Sequence, residues 1–211
     1  MEILSTKILA QASKGSRIFL SLVERTFSHK GRESSYFFAI RGDTVGTAKR
    51  PDAVVIVAVT EEEEPRLVLT SEFRIPIGCR EISFPAGIID KEDFAQGSVR
   101  QAAIAAATRE LKEETGLDFH PMEVSPANLY SSAGMTNESV TFVFGKATGS
   151  PSTDGNEAME DIEVRLVTLG EMIDMMDNQP DLNFSKTAWP LMWAYKRSGG
   201  FFCNESTRAS D

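Results

Sequence analysis

Cysteine and histidine are scarce, with two of each among 211 residues. Cys79 and Cys203 lie far apart and form no metal-spaced pair. This excludes a disulfide framework and a Cys/His zinc module, and makes a reducing compartment the expected setting. Long hydrophobic runs are missing too. The apolar run AVVIVAV from Ala53 is too short to cross a bilayer as a helix. The first 25 residues lack a continuous apolar core of signal-peptide type, so a cytoplasmic protein is expected. Positive charge is in deficit: 22 Lys and Arg against 31 Asp and Glu give a net charge of −9. Such a balance argues against a broad nucleic-acid-binding surface. It leaves room for a nucleotide ligand, because divalent cations bridge acidic side chains to phosphates.

The remaining pattern is that of a globular chain. Strand-like segments are RIFLSLVERTF and SSYFFAIR, joined by a hairpin turn at HKGRES. Further strands are expected at DAVVIVAVT, RLVLTSEF, EISFPAGIID, SVTFVFGKATG and IEVRLVTL. The run of glutamates at 61–64 reads as a solvated turn. A capping box, Thr168 to Glu171, opens a helix over EMIDMMDN, whose methionines and Ile173 read as core. Pro190 is tolerable only in the first turn of the last helix, which places its start near Thr187. Strands with interspersed helices indicate an α/β (α+β) domain built on a mixed sheet.

The stretch AATRELKEETGLDF, Ala106 to Phe119, carries the chemistry. Ser98 and Gln101 form a capping-box pattern, nothing breaks a helix from Val99 to Thr115, and Gly116 suits a left-handed C′ residue. At 100° per residue, Glu110, Glu113 and Glu114 fall within one arc of roughly 100°. They repel one another, and they crowd the helix end where the macrodipole disfavours negative charge by several tenths of a kcal/mol. The triplet fits two readings: a solvated acidic face, or a site for a hard cation such as Mg²⁺ or Mn²⁺.

RELKEETGL, Arg109 to Leu117, resembles the core of the Nudix box, and FPAGIID resembles its opening strand and turn, with Gly87 as the leading glycine. SEFRIPIGCREISFPAGIID, YSSAGMTNES and EDIEVRLVTL resemble, in order, segments of ADP-ribose pyrophosphatases and related nucleoside-diphosphate-sugar hydrolases within that superfamily. The resemblance implies a Nudix fold: a mixed β-sheet sandwiched between helices, with an N-terminal antiparallel β extension. Residues 1–48 would form a strand region for homodimerisation, 49–200 the hydrolase domain and 201–211 a flexible tail. One feature departs from the family. Twenty-one residues separate Gly87 from Arg109, about eight more than usual. The box's supporting glutamate position falls on Asp93 counted from Gly87, and on Gln101 counted back from Arg109. Asp93 could serve if the longer loop folds back; Gln101 has no charge to offer.

The resemblance also implies roles. The Gly87 carbonyl and the carboxylates of Glu110, Glu113 and Glu114 would hold one to three Mg²⁺ or Mn²⁺ ions bridging a pyrophosphate. Arg109 would orient a glutamate. Arg74 would meet a substrate phosphate, and Glu81 is a weaker candidate for binding. Glu160 is favoured as general base, with Glu157 and Glu138 as alternatives; Glu138 could also contact substrate. Tyr36 or Phe38 could stack on the base, although aromatic residues at strand spacing also suit a core. The implied reaction is hydrolysis of ADP-ribose or a similar nucleoside diphosphate sugar to a nucleoside monophosphate and a sugar phosphate. The alternatives are a Nudix pyrophosphatase acting on a dinucleotide, NADH or a nucleoside triphosphate, and a non-catalytic ADP-ribose-binding module. Glu114→Gln is expected to leave the fold intact and lower Mg²⁺-dependent turnover by orders of magnitude; unchanged turnover would rule the residue out as a ligand.

Overall fold

The computed structural model describes residues 1–42, 50–126, 128–156 and 159–199. Two compact units are present, Met1–Ala53 with Ser125–Thr141, and Val54–Val124 with Phe142–Asp211.

The first unit contains an antiparallel meander of β1 (Glu2–Lys14), β2 (Arg17–His29) and β3 (Arg32–Arg41). The β2–β3 turn falls on Lys30 and Gly31, both at positive φ, as a tight hairpin requires. β1 is exposed along almost its whole length. With neither face buried, its sequence has no reason to alternate, and it cannot be recognised from periodicity. Val23 and Ile40 are the buried apolar residues of this sheet. Tyr36 Oη donates to the Gly134 carbonyl at 2.7 Å, and Arg41 pairs with Glu138 at 2.5 Å. β9 (Leu129–Tyr130) pairs with the first two residues of β10 (Ser139–Thr148).

The second unit is built on the order β11-β5-β4-β10-β8, with β6 added to β5 and β7 to β4. Here β4 is Ala53–Thr60, β5 Leu67–Arg74, β6 Cys79–Ser83, β7 Ala86–Ile88, β8 Asp118–Val124 and β11 Ile162–Val167. From Val54 onward β4 is buried on both faces, which is why its sequence is a continuous β-branched run. β10 instead alternates buried and half-buried residues. β8 lies at the end of the strand order, and Pro121 falls opposite Gly145 at a register irregularity in its pairing with β10, a place where a strand tolerates proline. That proline hides the strand from a sequence reading.

Among the described residues, three α-helices complete the unit: α1 (Val99–Thr115), α2 (Leu169–Asn178) and α3 (Ala188–Ser198). Both expected capping boxes form, Ser98 with Gln101 and Thr168 with Glu171, and Gly116 adopts φ 72° at the end of α1. The mixed sheet flanked by helices is therefore the architecture found. Ala102, Ala103, Ala106, Ala107 and Leu111 of α1 are fully buried with Val54, Ile56, Val68, Val143 and Ala147. Alanines let the helix backbone lie close to the sheet, so the carboxylates of its last two turns are held by a rigid support. Met172 and Met175 of α2 are core as expected, and Ile173 and Met176 are half-buried.

Leu111→Ala should cost about 2–5 kcal/mol of stability by opening a cavity, and Ser98→Ala about 1 kcal/mol through loss of the cap. Urea unfolding of the two variants measures both, and equal costs would contradict this division of roles.

Candidate active site

β7 and the last two turns of α1 meet at Gly87. A Cβ built there would fall 1.9 Å from Cδ of Glu110 and 2.2 Å from its Oε1. A side chain at Gly87 would therefore displace the Glu110 carboxylate from its present position beside the β7 backbone. The neighbouring Ala86 amide donates to the Glu114 carboxylate.

The three helix acids sit at different depths. Glu114 is 7% exposed, the Glu110 side chain 15% and that of Glu113 48%. Burial drives the Glu114 carboxyl well above the ordinary carboxylate range, and the charges of Glu110, Glu72 and Glu160 push it the same way. Glu110 is also raised, first by burial and then by Glu113 and Glu160, against the opposing pull of Arg109.

Arg109 provides the local positive charge. Its Nη1 donates to Glu110 at 2.8 Å and Glu113 at 3.1 Å. Its Nη2 reaches the Ile88 carbonyl at 3.0 Å, Asp93 at 3.3 Å and Asp90 at 3.4 Å. Asp93 also accepts from the Asp90 amide at 2.9 Å and is nearly buried. The lengthened loop thus folds back in a 3₁₀ turn, Asp93–Gln96. Asp93 brings a carboxylate to Arg109, while Gln101 is spent on the helix cap. Burial opposes the Arg109 charge, but Glu110 and Asp93 outweigh it and strengthen its hold on the proton.

Arg74 lies between two acids, with Nη1 2.8 Å from Glu72 and Nε 3.4 Å from Glu81. Burial raises the Glu72 carboxyl, Arg74 lowers it, and Glu160 and Glu81 raise it further. Glu72 was not singled out from the sequence. The available signal was its spacing of two residues from Arg74 in a strand, which puts both on one face. Glu81 meets Arg74, a partner its sequence position did not suggest. Glu160 is close enough for its charge to be felt at Glu72, Glu110 and Glu114.

Tyr36, Phe38 and Glu138 belong to the first unit. There the Arg25 guanidinium covers the Phe38 ring at 5.0 Å. Glu157 lies outside the described residues, as does the expected tail from 201 onward. His120 is an exposed residue of β8 and bonds Thr148 Oγ1 at 3.1 Å.

Among the described residues, no group of three or more His, Cys, Asp or Glu side chains is arranged as it stands to hold a metal ion. Arg109 sits between Glu110 and Glu113 instead. The donor set nevertheless suits a hard cation. It offers carboxylate oxygens at graded depth beside a glycine backbone that crowds Glu110.

This constellation lies within residues 49–187, the span matched by the NUDIX domain family. The chain belongs to the Nudix family. An uncharacterized Nudix hydrolase of Schizosaccharomyces pombe is 26% identical over 152 residues, or 68% of this chain and 70% of that protein. An ADP-sugar pyrophosphatase of Mus musculus is 35% identical over 86 residues, or 40% of this chain and 36% of that protein. The crystal structure of an ADP compounds hydrolase superposes with a TM-score of 0.60 at 20% identity, covering 94% of this chain and 95% of its own. That last likeness is one of fold. The Nudix hydrolase assignment, with resemblance to ADP-ribose pyrophosphatases, is therefore met.

The raised Glu114 carboxyl has a consequence for stability. A carboxyl whose folded pKa lies above its unfolded value of 4.5 costs nothing below that pH. It destabilises the fold progressively as pH rises through the window above it. In EDTA, Glu114→Gln should melt at a higher temperature than the parent at pH 7.5, with the gap closing near pH 4.5. A gap independent of pH would contradict the burial argument.

Proposed function

We propose that the protein hydrolyses the pyrophosphate bond of ADP-ribose or a related nucleoside diphosphate sugar, giving a nucleoside monophosphate and a sugar phosphate. The observation that carries this reading is that Glu110, Glu160 and Glu72, the last paired with Arg74, bring their charges to bear on the buried Glu114 within one unit. Support for the substrate class comes from the similarity to the mouse ADP-sugar pyrophosphatase, while the ADP compounds hydrolase shares the fold.

Gly87, Glu110, Glu113 and Glu114 would hold one to three Mg²⁺ or Mn²⁺ ions. Those ions supply charge neutralisation on the diphosphate and a lowered pKa for the attacking water. Arg74 would leave its carboxylate partners in part to bind a phosphate oxygen. Glu72 and Glu81 hold its guanidinium in place before a ligand binds. Arg109, tied to Ile88, Asp90 and Asp93, holds Glu110 and Glu113 in place.

Glu160 would act as general base. The water oxygen bonds to one phosphorus, its proton passes to the Glu160 carboxylate, and the bridging P–O bond breaks. The electron pair leaves with the departing phosphate. Glu138 is held by Arg41 in the first unit and is the weaker choice; Glu157 remains an alternative acid of the same loop.

The N-terminal meander, residues 1–48 in the expected division, would pair two copies of the chain. Ile3, Leu4, Leu9, Phe19, Leu20 and Leu22 are exposed on it, which is more apolar surface than a lone hairpin sheet needs. Tyr36 and Phe38 would supply base stacking from this region. Residues 49–200 would form the hydrolase domain. We place the protein in the cytoplasm; no helix among the described residues is long and apolar enough to cross a membrane.

The test is a panel of ADP-ribose, other nucleotide sugars, dinucleotides, NADH and nucleoside triphosphates with Mg²⁺ and Mn²⁺, scored by released products. Preferred cleavage of ADP-ribose to AMP and ribose phosphate is expected, and preference for a triphosphate would overturn the substrate reading. Glu160→Gln should lower kcat by more than it raises KM; a change confined to KM would reassign the residue to binding.

A further inference from the structure

The polar loop before β11 carries Glu160, and contacts on both sides of that residue restrict it. On one side, the Ser152 amide donates to the Thr115 carbonyl at the last residue of α1, at 2.8 Å. Three residues later, Gly155 lies against the backbone of the same helix. A Cβ on Gly155 would fall 2.7 Å from the Glu113 carbonyl oxygen, 3.1 Å from its Cα and 3.3 Å from its carbonyl carbon. These are main-chain atoms of a helix packed on the sheet, so they cannot rotate aside as a side chain could. Any residue other than glycine must lift the loop instead.

On the other side, Asp161 directly follows Glu160 and is gripped by the sheet. Its carbonyl accepts from the Phe73 amide at 3.1 Å, and its carboxylate meets Arg80 Nη2 at 2.5 Å. Arg80 Nη1 in turn donates to the Ser71 carbonyl at 2.8 Å, fixing the guanidinium to β5. Asn156 Nδ2 reaches the Ile162 carbonyl at 3.5 Å, linking the two flanks.

We infer that Gly155 and Arg80 are positioning residues that pin the Glu160 loop from opposite flanks, against α1 and against β5. The inference rests on the reading of Glu160 as general base. The close approach at Gly155 is to Glu113, one of the acids proposed to hold metal. A shift of this loop therefore alters the distance between base and ion site directly. Reacting groups misplaced by about 1 Å can lose on the order of a hundredfold in rate.

The experiment is a double-mutant cycle on hydrolysis of ADP-ribose with Mg²⁺. Gly155→Ala should lower kcat about tenfold or more while KM changes less than about twofold. Arg80→Gln should act the same way, and it carries the test should the alanine variant fail to fold. In the Glu160→Gln background, either change should alter kcat by less than about twofold, because the group they position is gone. A Gly170→Ala control, at a glycine with open space around its Cβ position, should leave kcat unchanged in both backgrounds. Equal losses with and without Glu160 would overturn the inference while leaving the base reading intact. An unaltered kcat in Glu160→Gln alone would remove the base reading, and the inference with it.

Discussion

Glu114 is held almost out of water beside Glu110, within the fields of Glu72 and Glu160, and the site is organised around that concentration of negative charge. A buried acid of this kind is costly unless protonated or faced by a cation. Arg109 compensates the outer pair, Glu110 and Glu113. The Ala86 amide is the contact that favours charge at Glu114. The acids are fixed because α1 is fixed: its alanines and Leu111 are fully buried, so repulsion cannot be relieved by moving the helix. Hard cations bridging a diphosphate, as proposed, would bring the positive charge this arrangement calls for.

The loop between Gly87 and α1 shows how an insertion can be absorbed without losing the geometry that matters. Its extra length is taken up by a 3₁₀ turn and by an earlier helix start at the Ser98 cap. Asp93 then returns to Arg109. One arginine consequently ties the glycine-bearing strand, the insertion and the helix acids together. Arg74 repeats this pattern on β5, held by Glu72 and Glu81. Both arginines are oriented by acids; at Arg74, the proposed phosphate contact, this would reduce the ordering cost of binding.

Much of this was readable from local chemistry. The bounds of α1 follow from a cap, an alanine-rich body and a glycine stop, each a short-range signal. The acids share a face because helical spacing requires it. Asp93 was reachable by counting from Gly87, although only the folded loop selects it over Gln101. What stayed hidden depends on contacts between distant segments. β1 shows no alternation because neither face is buried, and β8 contains Pro121, which normally argues against a strand. The pairing of Glu81 with Arg74, the reach of Glu160 to the helix acids and the seating of Gly155 on Glu113 all arise from the fold. None leaves a periodic trace in the sequence.

The central claim is that these helix acids and Gly87 together hold divalent ions against a diphosphate. Its most direct test is a crystal soaked with Mn²⁺ and a non-hydrolysable ADP-ribose analogue, with anomalous scattering recorded at the manganese edge. The account expects manganese peaks within ligating distance of Glu110, Glu114 and the Gly87 carbonyl, bridged to the diphosphate oxygens. Bound analogue with no manganese between it and those carboxylates would contradict it.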